Sequence, residues 1–126
     1  MTEITLNGMR MAFNASGIAR LDHGADQNGQ PAVTVYGSIP HTFIFAGTAQ
    51  QFMAVIGVNG GYVDVRGAPG GALMTLNAKA VSWIREPLPS DHPAAQSVLQ
   101  CGGVTLNLLD PYATVLAAVK QAGGGL

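Results

Sequence analysis

The sequence predicts an α+β fold, mostly β, built as two tandem β-rich units that are each closed by a short helix and related by a pseudo-twofold axis. Three observations predict it. The chain resembles itself at a spacing of 63 residues: Phe13-Asn14-Ala15 returns as Leu76-Asn77-Ala78, Ile18 as Val81, Leu21 as Ile84, and Phe43 and Phe45 as Leu106 and Leu108. Within each half, apolar residues alternate with period two, the mark of half-buried strands. Each half then ends on apolar residues spaced i, i+3, i+4, i+7, the stripe of an amphipathic helix. Loops absorb the drift in spacing: Leu6-Asn7-Gly8 matches Val65-Arg66-Gly67, and Gly37 matches Gly102. That pattern favours duplication over chance agreement between two amphipathic stretches, and two copies are too few for a repeat array.

The elements follow in order. Ile4-Thr5-Leu6 and Val63-Asp64-Val65 read as short strands ending at Gly, and Met9, Met11, Phe13 and Met74, Leu76 continue the alternation. The next segment, Asn-Ala-x-x-Ile/Val, makes one turn before Leu21 or Ile84. The stretches 22–31 and 86–93, rich in Gly, Pro, Asp, Asn and Ser, read as loops. Val33 and Val35 form a hairpin with Phe43 and Phe45 through Gly37-Ser38-Ile39-Pro40, and Val98 does so with Val104, Leu106 and Leu108 through Cys101-Gly102-Gly103. Each unit thus has four strands. Thr48 with Gln51 three residues on is a capping box; Asp110 with Pro111 is a cap followed by a first helical position that needs no N–H. The stripes are 49, 52, 53, 56 and 112, 115, 116, 119, and Gly57 and Gly123 are the stops. Both helices are too short to stand alone and must dock on sheet. The expected division is 1–57, a linker at 58–61, and 62–126, within one compact domain overall.

Composition bounds the function. The chain has 126 residues, 48% hydrophobic and 10% charged, with six Lys+Arg against seven Asp+Glu. No basic field exists to hold a nucleic-acid backbone, which argues against duplex DNA or RNA. No apolar run approaches the ~18 residues that span a bilayer, and Met1-Thr2-Glu3 lacks the basic and apolar regions of a secretion signal. A lone Cys101 excludes an intrachain disulfide and fits a reducing compartment. The expected location is the cytoplasm or a phage particle.

One copy, Ile4-Thr5-Leu6-Asn7-Gly8 followed by Phe13-Asn14-Ala15, Ile18 and Leu21, resembles the opening of the small FlbD-type flagellar motility proteins. Those proteins carry a strand, Leu-Asn-Gly, a second strand and Asn-x-x-x-Ile-x-x-Ile, then a Val-rich hairpin and a terminal helix, as 33–56 does here. The resemblance extends to both halves through short apolar motifs, and it implies a fold more than a role. It departs in charge and copy number, since that family is charged and single-copy, and it carries over no site residue.

Candidate chemistry is sparse. Asp22-His23 and Asp91-His92 occupy matching loops, and the pseudo-twofold could bring them together as a metal or phosphate site. As solvated turn residues they are equally ordinary, and no metal-ligand spacing supports the site. A nucleophilic Cys101 would require a base such as His41; otherwise it is a small residue at a turn. The Gly-rich runs lack the Gly-Lys-Ser/Thr ending of a phosphate loop. Arg20, Arg66 and Arg85 lie on or beside strands, with Trp83 at the position matching Arg20. Arg beside an aromatic suits a protein interface, a pocket for a base or phosphate, or a surface ion pair of small worth.

The reading that results is a non-enzymatic interaction or assembly module, acting as a homo-oligomer or an accessory subunit of a phage or bacterial machine. The alternative is a protein that sequesters a small anionic ligand such as a nucleotide. In either case Arg20, Arg66, Trp83, Arg85, His23 and His92 are the binding candidates, with no cofactor, metal or catalytic group expected.

Overall fold

Residues 1–6 and 8–126 are described in the computed structural model; Asn7 of the Leu6-Asn7-Gly8 match lies outside the described residues. The chain divides into Met1–Asn59 and Gly60–Leu126. Both are built mainly of antiparallel strands closed by a helix, the mostly-β α+β architecture that the alternation predicts.

In the first unit, β1 (Thr2–Leu6) and β2 (Met9–Phe13) form a two-stranded sheet. A 3₁₀ turn, Ala15–Gly17, leads into β3 (Ile18–Ala25), which pairs with β4 (Pro31–Gly37), which pairs with β5 (Phe43–Ala46). Helix α1 (Ala49–Val55) follows. Its start is the capping box read from the sequence: Thr48 Oγ1 accepts from the Gln51 N–H at 3.1 Å, and Gln51 Oε1 accepts from the Thr48 N–H at 2.8 Å. Its end is a left-handed Gly57, with Val58 N–H donating to the Met53 carbonyl at 2.9 Å. Seven residues of helix are marginal in water, so α1 depends on docking. Phe52, wholly buried, does this by meeting Phe43 and Phe45 of β5 at ring separations of 6.0 and 5.2 Å.

The second unit has the same order of elements: β6 (Tyr62–Gly67), β7 (Ala72–Asn77), a 3₁₀ turn at Ala78–Ala80, β8 (Val81–Arg85), β9 (Ser97–Cys101), β10 (Val104–Leu108) and α2 (Tyr112–Gln121). Its five strands make one sheet in the order β7-β6-β10-β9-β8. Helix α2 lies against β6, β8 and β9, burying Val115 and Val119. The two units share details at matching places. Asn14 and Asn77 each cap their 3₁₀ turn by accepting from the N–H two residues on. The carbonyls of Gly17 and Ala80 each accept from the far end of the next hairpin, at Ser38 and Gly102. Each unit has a β-bulge directly after that turn, between Ile18 and Arg20 and between Val81 and Trp83.

Three expectations are corrected. Each unit has five strands rather than four, because the segment after the one-turn motif is itself a strand. The bulge hid it: Ile18, Ala19 and Leu21 are all buried, so the period-two signal is broken where it was sought. The first middle loop accordingly shrinks from 22–31 to 26–30, and Asp22 and His23 sit within β3, opposite Thr34 and Val33. At α2 the N-cap is Pro111, in extended conformation, and makes no side-chain cap. Asp110 does not cap because its carboxylate is engaged elsewhere, accepting from the Arg66 backbone N–H at 2.7 Å.

Candidate functional site

The sequence-derived binding residues fall on separate pieces of structure. In the first unit, Arg20 and Asp22 are two apart on β3 and share a face. The guanidinium donates to the Asp22 carboxylate at 2.9 and 3.4 Å and lies 4.0 Å from the ring centre of Tyr36, its cross-strand neighbour on β4. His23 is half-buried on the same strand. Tyr36, absent from the sequence-derived set, is found only through strand register.

In the second unit, Trp83 and Arg85 are likewise two apart on β8, with the guanidinium 5.5 Å from the indole. Arg85 also holds the following loop: its two terminal nitrogens donate to both carboxylate oxygens of Asp91, at 2.6 and 3.1 Å. Asp91 accepts from the Leu88 N–H as well, at 2.6 Å. The Arg85 hydrogen bonds, then that backbone N–H, hold the Asp91 carboxyl down at about 2, below the ordinary carboxylate range; the same pairing raises Arg85. His92 is exposed in the same loop, its Nδ1 accepting from the Ala94 N–H at 3.0 Å. Arg66 is exposed on β6, donating to the Gly71 carbonyl at 3.3 Å. Strands β10 and β9 lie between β6 and β8, so Arg66 stands three strand spacings from Arg85, roughly 14 Å. The unit therefore joins Trp83 to Arg85 but not to Arg66.

Electrostatically these clusters are closed. Arg20 and Arg85 already hold their own aspartates, so an incoming anion would have to displace a carboxylate of like charge. Among the described residues no group of three or more His, Cys, Asp or Glu is arranged to hold a metal ion. Cys101 ends β9 and is buried. Near it is Tyr62, whose hydroxyl is buried without a hydrogen-bond partner among the described residues; burial first, then Cys101, pushes its pKa up to about 12.

The least defended surface lies elsewhere. Among the described residues, strand β5 pairs with β4 on one side alone. Thr42-Phe43-Ile44-Phe45-Ala46 carries no charge, no Pro and no bulge, the devices that normally blunt an edge. Its counterpart in the second unit, β10, is paired on both sides by β9 and β6. Ile44 is 67% exposed, and Leu6, Met9 and residues 41–44 line an open groove of mixed polarity, about 470 Å³, beside it. Sequence reasoning used Phe43 and Phe45 as hairpin residues and passed over Ile44. The signal available was three consecutive large apolar residues, where alternation asks for a polar one in the middle.

No protein-family model, curated protein or solved structure matches the chain. Among the described residues no helix is long and apolar enough to cross a membrane.

Proposed function

We propose that the protein is a non-enzymatic assembly module that joins further copies of itself, as a homo-oligomeric or accessory subunit of a bacterial or phage machine. The observation that carries this reading is the open β5 edge, on which Ile44 is exposed. An unguarded, charge-free edge is a template for strand addition, and antiparallel pairing of β5 with β5 is self-complementary about a twofold axis. The two units are copies of one ancestral unit, a view supported by their shared element order, matching Asn caps and matching bulges. The resemblance of each half to FlbD-type motility proteins favours a bacterial or phage setting. The sequestering alternative has less support, because Arg20 and Arg85 are already neutralised by Asp22 and Asp91.

Native mass spectrometry of the wild type and of Ile44→Lys tests the reading. A bare oligomer that Ile44→Lys converts to monomer is the expected result. A wild-type monomer at micromolar concentration would overturn it, as would an oligomer indifferent to the substitution. Excess mass that disappears on denaturation would favour the anionic-ligand alternative.

A further inference from the structure

The sequence contains three Asn-Gly steps, Asn7-Gly8, Asn28-Gly29 and Asn59-Gly60, of which Asn7 lies outside the described residues. Glycine lacks the Cβ that shields a backbone nitrogen, so its amide can attack the side-chain carbonyl carbon of a preceding Asn. Asn28 and Asn59 are both exposed, so access to water does not separate them. Hydrogen bonding does. Asn28-Gly29 sits in a turn tied at four points: Gly29 N–H donates to the Asp26 carbonyl at 3.0 Å, and the Asn28 and Gln30 N–H groups donate to Asp26 Oδ1 at 2.8 and 2.9 Å. The Asp26 N–H closes the turn onto the Gln30 carbonyl at 2.8 Å. The attacking nitrogen is thereby engaged, and the backbone rotation that would bring it to the Asn28 side chain is blocked. Among the described residues, by contrast, neither Asn59 nor the Gly60 N–H makes a hydrogen bond, and neither residue belongs to a helix or strand. A Cβ built on Gly60 meets nothing within 4 Å.

We infer that Asn59 is a site of spontaneous covalent modification, closing to a succinimide on Gly60 and opening to aspartate or isoaspartate, while Asn28 is protected by its turn. In the first step the Gly60 nitrogen bonds to Asn59 Cγ, the Cγ–Nδ2 bond breaks, and the side-chain nitrogen leaves as ammonia with the displaced proton. In the second step water adds across one imide C–N bond. The product carries a new carboxylate, which doubles the formal net charge of −1. Its isoaspartyl form adds a methylene to the backbone at the passage from one unit to the next.

The test is incubation of the purified full chain in mildly alkaline buffer, with the one-dalton mass gain followed by peptide fragmentation. Fragmentation must localise it, because no Lys or Arg separates the two sites between Arg20 and Arg66. In the folded protein Asn59 is expected to convert well before Asn28; in denaturant the two should react at comparable rates. Gly60→Ala should suppress the Asn59 reaction without loss of fold, and Asp26→Ala should raise the rate at Asn28. The proposal is overturned if Asn28 keeps pace with Asn59 in the folded chain. It is equally overturned if the preference for Asn59 persists undiminished in denaturant, since flanking sequence rather than hydrogen bonding would then set it.

Discussion

Helix α1 depends on one side chain, and Phe52→Ala measures that dependence. Phe52 is wholly buried, with Phe43 and Phe45 at 6.0 and 5.2 Å. Beyond it the seven-residue helix buries Ala49 within its span, with Ile56 buried at its cap. Truncating a buried Phe to Ala costs about 3–5 kcal/mol, because the lost transfer energy is joined by a cavity that neighbours fill only in part. The two ring contacts belong inside that figure and are not additional, since residues in contact are not additive. Against a typical native stability of about 5–15 kcal/mol the loss is a large fraction. At roughly 4 °C per kcal/mol for a chain of this size, it corresponds to a fall in Tm of about 12–20 °C. Urea unfolding followed by circular dichroism gives the free energy directly. Val55→Ala is the control: Val55 is on the same helix and 55% exposed, so its truncation should stay within about 0.5 kcal/mol. A Phe52→Ala variant as stable as Val55→Ala would show that α1 is not anchored through Phe52, and the account of how β5 is held in place would fail with it.

Two further outcomes follow from the second unit. Tyr62→Phe should leave neutral-pH stability unchanged or raised, because it removes a desolvated hydroxyl with no partner among the described residues. The raised Tyr62 pKa means its contribution is intact below 10.0 and lost as pH rises through about 12; alkaline urea titrations should show that loss in wild type and not in the variant. The depressed Asp91 pKa has the opposite sign: the Arg85–Asp91 contribution is intact above 3.8 and lost as pH falls through about 2. Emission from Trp83, the single tryptophan, should hold steady down to the upper limit and change below it, and Asp91→Asn should abolish that acid transition. A transition unchanged in Asp91→Asn would detach it from this ion pair.

How much was legible in the sequence depended on whether the signal was local. The α1 capping box, the Gly57 and Gly123 stops, both helix stripes and the hairpins around Gly37 and Gly102 were readable, because caps, positive-φ glycines and apolar periodicity act within a few residues. Strands β3 and β8 were not, because a bulge resets the alternation that identifies a strand. Asp110 looked like a cap by position, but its carboxylate was taken by Arg66, 44 residues away in sequence. The same limit governed the candidate site. Trp83 beside Arg85 was visible because the two are only two residues apart in the chain. Tyr36 against Arg20, and Asp91 in the grip of Arg85, required strand register and loop path. The sequence by itself determined both helices, the strands whose alternation is unbroken and the apolar faces, through steric and hydrophobic preferences that are short-ranged. Only the tertiary structure decided that β10 is paired on both edges while β5 is left open, because strand pairing is set by contacts between residues far apart in the chain.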